Sequence, residues 1–211
     1  MKNPHCLRTL CLLPLLAVAL VLVPGCSLKQ AYPAKSTFAL EAIRGGTPAR
    51  PSPAVLRVRA FTAMAPFDER VFRSRIDDVR FESDFYNEFI FTPRTLMSDQ
   101  TRLWLQSAGL FGAVLEPASK AEATHSLEGC VTALYADHRD AAAPKAVMEI
   151  RFLLLKDSSA SPEIVLDKTY RQAMPLENRQ PATLAAGWSK GLAHILTALE
   201  QDLAGKIATL R

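Results

Sequence analysis

Two carboxylates two residues apart, Glu82 and Asp84, lie in the stretch VRFESDFYNEFIF at residues 79–91, among five aromatic rings and a third acid, Glu88. On an extended strand such a pair points to one face with Cα atoms about 6.6 Å apart, at a rise of roughly 3.3 Å per residue. That spacing falls within the roughly 5 to 9.5 Å that separates the paired carboxyl groups of glycoside hydrolases. A catalytic pair, however, needs one acid held in a dry environment that raises its pKa. The face formed by Arg80, Glu82, Asp84, Tyr86 and Glu88 has instead the composition of a solvated or partner-facing surface, and these residues form the candidate docking face. The same period of two assigns Val79, Phe81, Phe85, Phe89 and Phe91 to the opposite, core-facing side.

Other reactive residues are scattered. His125 and His138 stand thirteen residues apart on one predicted strand, an odd interval that puts them on opposite faces, and His194 falls on a predicted helix. Neither H-x-x-x-H nor C-x-x-C spacing occurs, so no zinc or iron site is expected. Walker and dinucleotide glycine patterns are missing as well. Cys130, on a predicted strand, reads as a small buried side chain. The expectation is a protein that is not an enzyme and uses neither a cofactor nor a metal.

The clearest chemistry sits near the N-terminus. Lys2 and Arg8 precede the uncharged run LCLLPLLAVALVLV at residues 10–23, and PGCS follows it, which is the pattern of an export signal. A membrane-spanning anchor wants roughly 20 predominantly apolar residues without interruption, whereas this stretch carries Pro14, Pro24 and Gly25. LVPGCS resembles a bacterial lipobox, with Pro24 standing where a small or aliphatic residue is usual. The resemblance implies cleavage between Gly25 and Cys26, diacylglycerol on the Cys26 thiol and acylation of the new N-terminus. Ser27 in place of an Asp after the cysteine implies sorting to the outer membrane, with the domain on its periplasmic face. Each buried methylene contributes about 0.8 kcal/mol, so several acyl chains on one residue hold a protein stably.

The remaining counts agree with this. Cys6 and Cys11 leave with the signal and Cys26 takes the lipid, so Cys130 has no partner for a disulfide. Loss of Lys2 and Arg8 lowers the 25 basic residues to 23 against 21 acidic ones, a formal +2, which points neither to nucleic acid nor to a strongly basic membrane patch. The 186 residues left of the 211 can bury one full core.

These residues must be positioned by a short series of elements. Residues 1–25 are read as signal peptide, 26–36 as lipidated tether and 37–211 as a single domain. A first strand is predicted over 37–44, a second in AVLRVRAFTAM at 54–64, a loop over 62–74 marked by Pro66, and a third strand over the aromatic stretch. Thr92 is the predicted N-cap of a helix with Pro93 at its first position and Gly109 at its end, with Leu96, Met97, Leu103, Trp104 and Ala108 facing inward. After LFGAVL come strands over 124–137, 146–157 and 163–173, whose short separators favour antiparallel hairpins. A last helix runs from Pro181 to about Leu210, with Leu184, Trp188, Leu192, Ile195, Leu199, Leu203 and Ile207 as its apolar stripe and Lys190, Glu200 and Gln201 toward water. The GxxxG spacing of Gly187 and Gly191 is read as close helix packing. The fold class is α+β, a mixed, mostly antiparallel sheet flanked by two main helices.

The segment RFESDFYNEFIFTPRTLMSDQTRLWLQSAGLFGAVLEP, Arg80 to Pro117, resembles the ABC-type transport auxiliary lipoprotein family, which includes the PqiC-like lipoproteins. Shared features are the lipoprotein signal, YPAKSTFAL, VLRVRAF, an aromatic segment passing through proline into a helix, and G-x-F-x-x-V at Gly109, Phe111 and Val114. Many members carry a Trp ahead of the proline, where this chain has EFIFTP. The resemblance implies a non-catalytic periplasmic component of an intermembrane lipid transport system. Its partners would be an MCE-type substrate-binding protein and an ABC permease and ATPase, with a homo-oligomer open and no nucleic acid. Two other readings stay open: an envelope assembly factor or activator of cell-wall enzymes, and a small lipid-binding carrier.

Overall fold

The computed structural model describes residues 34–157 and 161–209. The signal peptide, Gly25, Cys26 and the tether up to Pro33 lie outside the described residues, as do 158–160 and 210–211.

Three long strands form the regular part of the sheet: β7 (His125–Asp137), β8 (Lys145–Lys156) and β9 (Glu163–Pro175), in antiparallel succession. Their period of two buries Ala146, Met148, Ile150, Phe152 and Leu154 on one face and turns Glu149 and Arg151 to the other. Over the buried face lies the last helix, α2 (Pro181–Thr209), whose predicted stripe from Leu184 to Ile207 is buried throughout. Gly187 permits the close approach, because a Cβ there would stand 2.9 Å from Ala146 Cβ and 2.7 Å from Leu176 Cδ2. Gly191 has ordinary room, its nearest neighbour being Met174 Cγ at 3.4 Å.

The other edge of β7 is tiled by three short segments laid end to end and parallel to it. These are β2 (Ser52–Val58) against Leu56↔His125, β3 (Thr62–Ala63) against Thr62↔Cys130, and β4 (Val71–Arg75) against Ser74↔Ala136. Beyond them, β5 (Phe81–Phe89) pairs antiparallel with β4, and β1 (Ser36–Phe38) pairs parallel with β5. The helix α1 (Pro93–Ala108) then crosses to β6 (Phe111–Leu115), parallel to β2, with Gly109 ending the helix at φ +67°, a conformation glycine adopts without steric cost. The result is the expected α+β sheet with two helices. Among the described residues the two long pairings, β7–β8 and β8–β9, are antiparallel, while the antiparallel β4–β5 pairing and the five parallel pairings are short.

Several local expectations change. The loop at 62–74 contains β3 and β4, and the single strand at 54–64 breaks at 59–61, where Phe61 turns in to cover Gly129. The first strand is confined to 36–38. Thr92 precedes α1 without capping it through its side chain, because its hydroxyl pairs with Thr95 Oγ1 at 2.9 Å. Leu103 is exposed and Leu105 takes its place in the core, as the wheel from Met97 through Trp104 and Ala108 requires. An extra residue in β7 between Val131 and Ala133 removes the parity argument that set His125 and His138 on opposite faces.

Candidate functional site

The docking candidate lies on β5 and the turn before it. Asp77 builds that turn: its Oδ1 accepts hydrogen bonds from the backbone N–H of Val79 (3.0 Å) and Arg80 (2.7 Å), which hold its carboxyl below the ordinary Asp range. Arg80 leaves the turn to pair with Asp77 Oδ2 at 3.4 Å, and Val79, at the tip, is 90% exposed.

Farther along, β5 departs from regular alternation. Phe72 pairs with Asp84 but its neighbour Val71 pairs with Glu88, so one step on β4 matches four on β5 and residues 85–87 are extra. Asp84 fixes this bulge, its Oδ1 accepting from the backbone N–H of Tyr86 (2.9 Å) and Asn87 (3.1 Å) and its Oδ2 from Asn87 Nδ2 (2.8 Å). An odd insertion inverts the alternation. Phe89 therefore faces α2 in a ring cluster with Phe72 (4.6 Å) and Trp188 (5.2 Å), whereas Phe81 packs on the helix-free face against Tyr135 (5.5 Å). Phe85 and Tyr86 are carried out to solvent, 74% and 48% exposed, and Phe91 is 58% exposed.

The five residues of the candidate face are thus not on one face. Glu82 and Asp84 share the side of Phe72, and Glu88 turns to the other, where Arg70 Nη2 reaches it at 2.9 Å and Lys35 at 3.9 Å. Val79, Phe85 and Phe91 are likewise not core residues. What the structure does gather is Glu82, Asp84, Tyr86, His138 and Arg179, around an open cleft of about 410 Å³ behind the bulge. His138 Nε2 is buried with no hydrogen-bond partner among the described residues, and burial, then Arg179, press its pKa below the ordinary His value.

A second constellation was hidden from sequence reasoning. Residues 39–49, outside regular structure, run beside both helices: Leu40 is buried, Ala42 N–H donates to Gln100 Oε1 (2.9 Å) and Glu41 N–H to Ser189 Oγ (3.3 Å). Arg44 closes the strap with a bidentate pair to Glu200 (2.8 and 2.9 Å), and Trp104 Nε1 donates to the same carboxylate at 2.7 Å. Glu200 is therefore a clasp between α1, α2 and the strap rather than a water-facing residue, and Arg44 foremost, with Trp104 assisting, holds its pKa below the ordinary range.

The sequence predicts no G-x-S-x-G elbow; Gly187-Trp188-Ser189-Lys190-Gly191 spells the string, but inside α2 rather than at a strand-to-helix turn. Among the described residues no group of three His, Cys, Asp or Glu side chains is placed to hold a metal ion. Cys130 is half-buried, not core: its strand position points to the helix-free face, in an open cleft with Arg59, Glu128 and Arg151.

No family model matches the chain, and no curated protein matches it. Solved structures do. A protein from Xanthomonas campestris described by the family model DUF330 superposes with a TM-score of 0.72 at 19% identity, covering 83% of this chain and 99% of that one. An uncharacterized protein follows at a TM-score of 0.63 and 12% identity, over 81% and 99% of the two chains. A hypothetical protein from Chlamydia trachomatis gives 0.52 at 7% identity, over 75% and 99%. At these identities the likeness is one of fold, and it spans nearly the whole of each neighbour.

Proposed function

We propose that this chain is a lipid-anchored envelope protein, a non-catalytic auxiliary component of an ABC/MCE-type intermembrane lipid transport system, held at the periplasmic face of the outer membrane by Cys26. The observation that carries the reading is the N-terminal sequence, a charged start, an apolar run and LVPGCS, ahead of a folded domain that begins ten residues after the cysteine. The resemblance of Arg80–Pro117 to the auxiliary lipoproteins supplies the transport partner. Anchoring raises the local concentration of the domain at its partner, so a modest protein interface suffices.

The packing favours this reading over a carrier that encloses lipid between sheet and helix. Trp188, Phe72, Phe89, Met148 and Leu192 fill that layer. The test is affinity purification of the detergent-solubilised full chain from its native envelope. Co-purification of an MCE-type protein with its permease and ATPase is expected; recovery of cell-wall enzymes in their place contradicts the transport reading. A Cys26→Ala variant is expected to leave the membrane fraction, and its retention there as processed protein contradicts the anchor.

A further inference from the structure

We propose that the Phe85–Tyr86 bulge seats in the membrane interface, as a second, non-covalent contact beside the lipid. The proposal rests on the reading of Cys26 as the anchored residue.

Three observations lead to it. First, two adjacent aromatic side chains are presented to solvent by a bulge whose extra residues are ordered, not loose, since Asp84 and Asn87 lock it from within. The backbone amides of Tyr86 and Asn87, which have no partner on β4, both donate to Asp84 Oδ1, so these two N–H groups are satisfied where the rings would meet an apolar medium. A phenyl ring beside a phenol suits the headgroup boundary, where an apolar body and a polar tip are both accommodated.

Second, the chain enters the sheet at this place. β1 runs parallel to β5 with Ser36 opposite Asn87, so the segment that follows the tether arrives alongside the bulge. Nine residues, and so ten Cα–Cα steps, separate Cys26 from Ser36. A chain of that length reaches at most about 36 Å. An anchored chain therefore keeps the entry point, and the bulge beside it, close to the bilayer. The exposed Ile164, by contrast, lies on β9, four strands away from β5.

Third, the charges around the bulge are of both signs. Glu82, Asp84 and Arg179 line the cleft behind it, and Glu88 is paired with Arg70. Such a surface has no net attraction for anionic lipid, and the contact draws on aromatic partition at a depth of roughly 5–10 Å.

The experiment places a reporter in the bulge. The full-chain lipoprotein carrying Phe85→Trp is reconstituted into phosphatidylcholine–phosphatidylethanolamine vesicles whose acyl chains are brominated at a shallow position, with the parent protein as the baseline for Trp104 and Trp188. The mass of the N-terminal peptide reads the state of Cys26 separately. Should Cys26 carry no lipid, the anchor reading fails on that measurement alone. The same protein, with Cys130→Ser, is then coupled through the Cys26 thiol to a maleimide-bearing phospholipid so that the bulge is still tested. Emission from the introduced tryptophan is expected to shift to the blue and to fall roughly twofold with shallow bromine, with no dependence on salt or anionic lipid. Emission unchanged on attachment overturns the proposal. So does an oligomer that Phe85→Ser/Tyr86→Ser dissolves while the reporter stays unquenched, which would give the patch to a second copy.

Discussion

The meander β7–β8–β9 under α2 and the pieced region from β1 to β6 belong to one sheet yet are held in opposite ways. In the meander, twelve- and thirteen-residue strands pair along their whole length, and one helix stripe closes the face. In the pieced region strands of two to nine residues are fixed by individual side chains, locally by Asp77 on its turn and Asp84 on the bulge, and between elements by Arg70 on Glu88 and Arg44 on Glu200. Continuous pairing makes the first region uniform. Discrete polar fastenings give the second the freedom to expose Phe85 and Tyr86, and the candidate docking residues Arg80, Glu82, Asp84, Tyr86 and Glu88 belong to it.

The two regions meet at Trp188, whose ring packs on Phe72 and Phe89 while its Nε1 donates to Val147 O at 3.1 Å. Removing it tests whether they unfold as one. Trp188→Ala is expected to cost about 3–5 kcal/mol in urea unfolding, with fluorescence and circular dichroism midpoints falling together. Separate transitions would show that the regions are independent.

Next in size is the clasp. Glu200→Gln removes the charge from three hydrogen bonds in a largely buried site and is expected to cost about 1–3 kcal/mol at neutral pH. Because Arg44 lowers the folded pKa of Glu200, its contribution is complete above the unfolded value near ~4.3 and is lost as pH falls through the folded value. The stability gap between parent and variant should therefore shrink in acid, and a gap that widens there contradicts the clasp.

The smallest effects sharpen the account of the meander. Gly187→Ala forces a methyl against Ala146 and Leu176 and is expected to lose about 1–2 kcal/mol. Gly191→Ala meets only ordinary contacts and is expected to gain up to about 1 kcal/mol from helix propensity. Opposite signs for two glycines four residues apart on one helix are the mark of contact with β8 at Gly187 alone.

How far the sequence was readable follows the same division. The meander strands were legible to within two residues because a period of two sustained over a dozen positions outweighs a single bulge. The aromatic stretch misled for a physical reason: Asp84 and Asn87 are residues that bond their own backbone and disfavour strands, and together they insert an odd number of residues. SDFYN thus carried the signal, and weighting those two residues above the aromatic alternation would have found the bulge. β4 was lost because VFRSR mixes charge with a short apolar pair and follows Pro66. The clasp had no local signal at all, since Arg44 and Glu200 are 156 residues apart.

The proposed membrane contact puts the pieced region, not the meander, against the envelope. Hydrogen exchange measured on the full chain attached to vesicles through Cys26, and on the same chain cut after Cys26, reads this directly. The amides of 79–91 are expected to slow on membrane attachment while those of 125–175 keep their rates. Slowing confined to the amides of 125–175, or no change at 79–91, would contradict it.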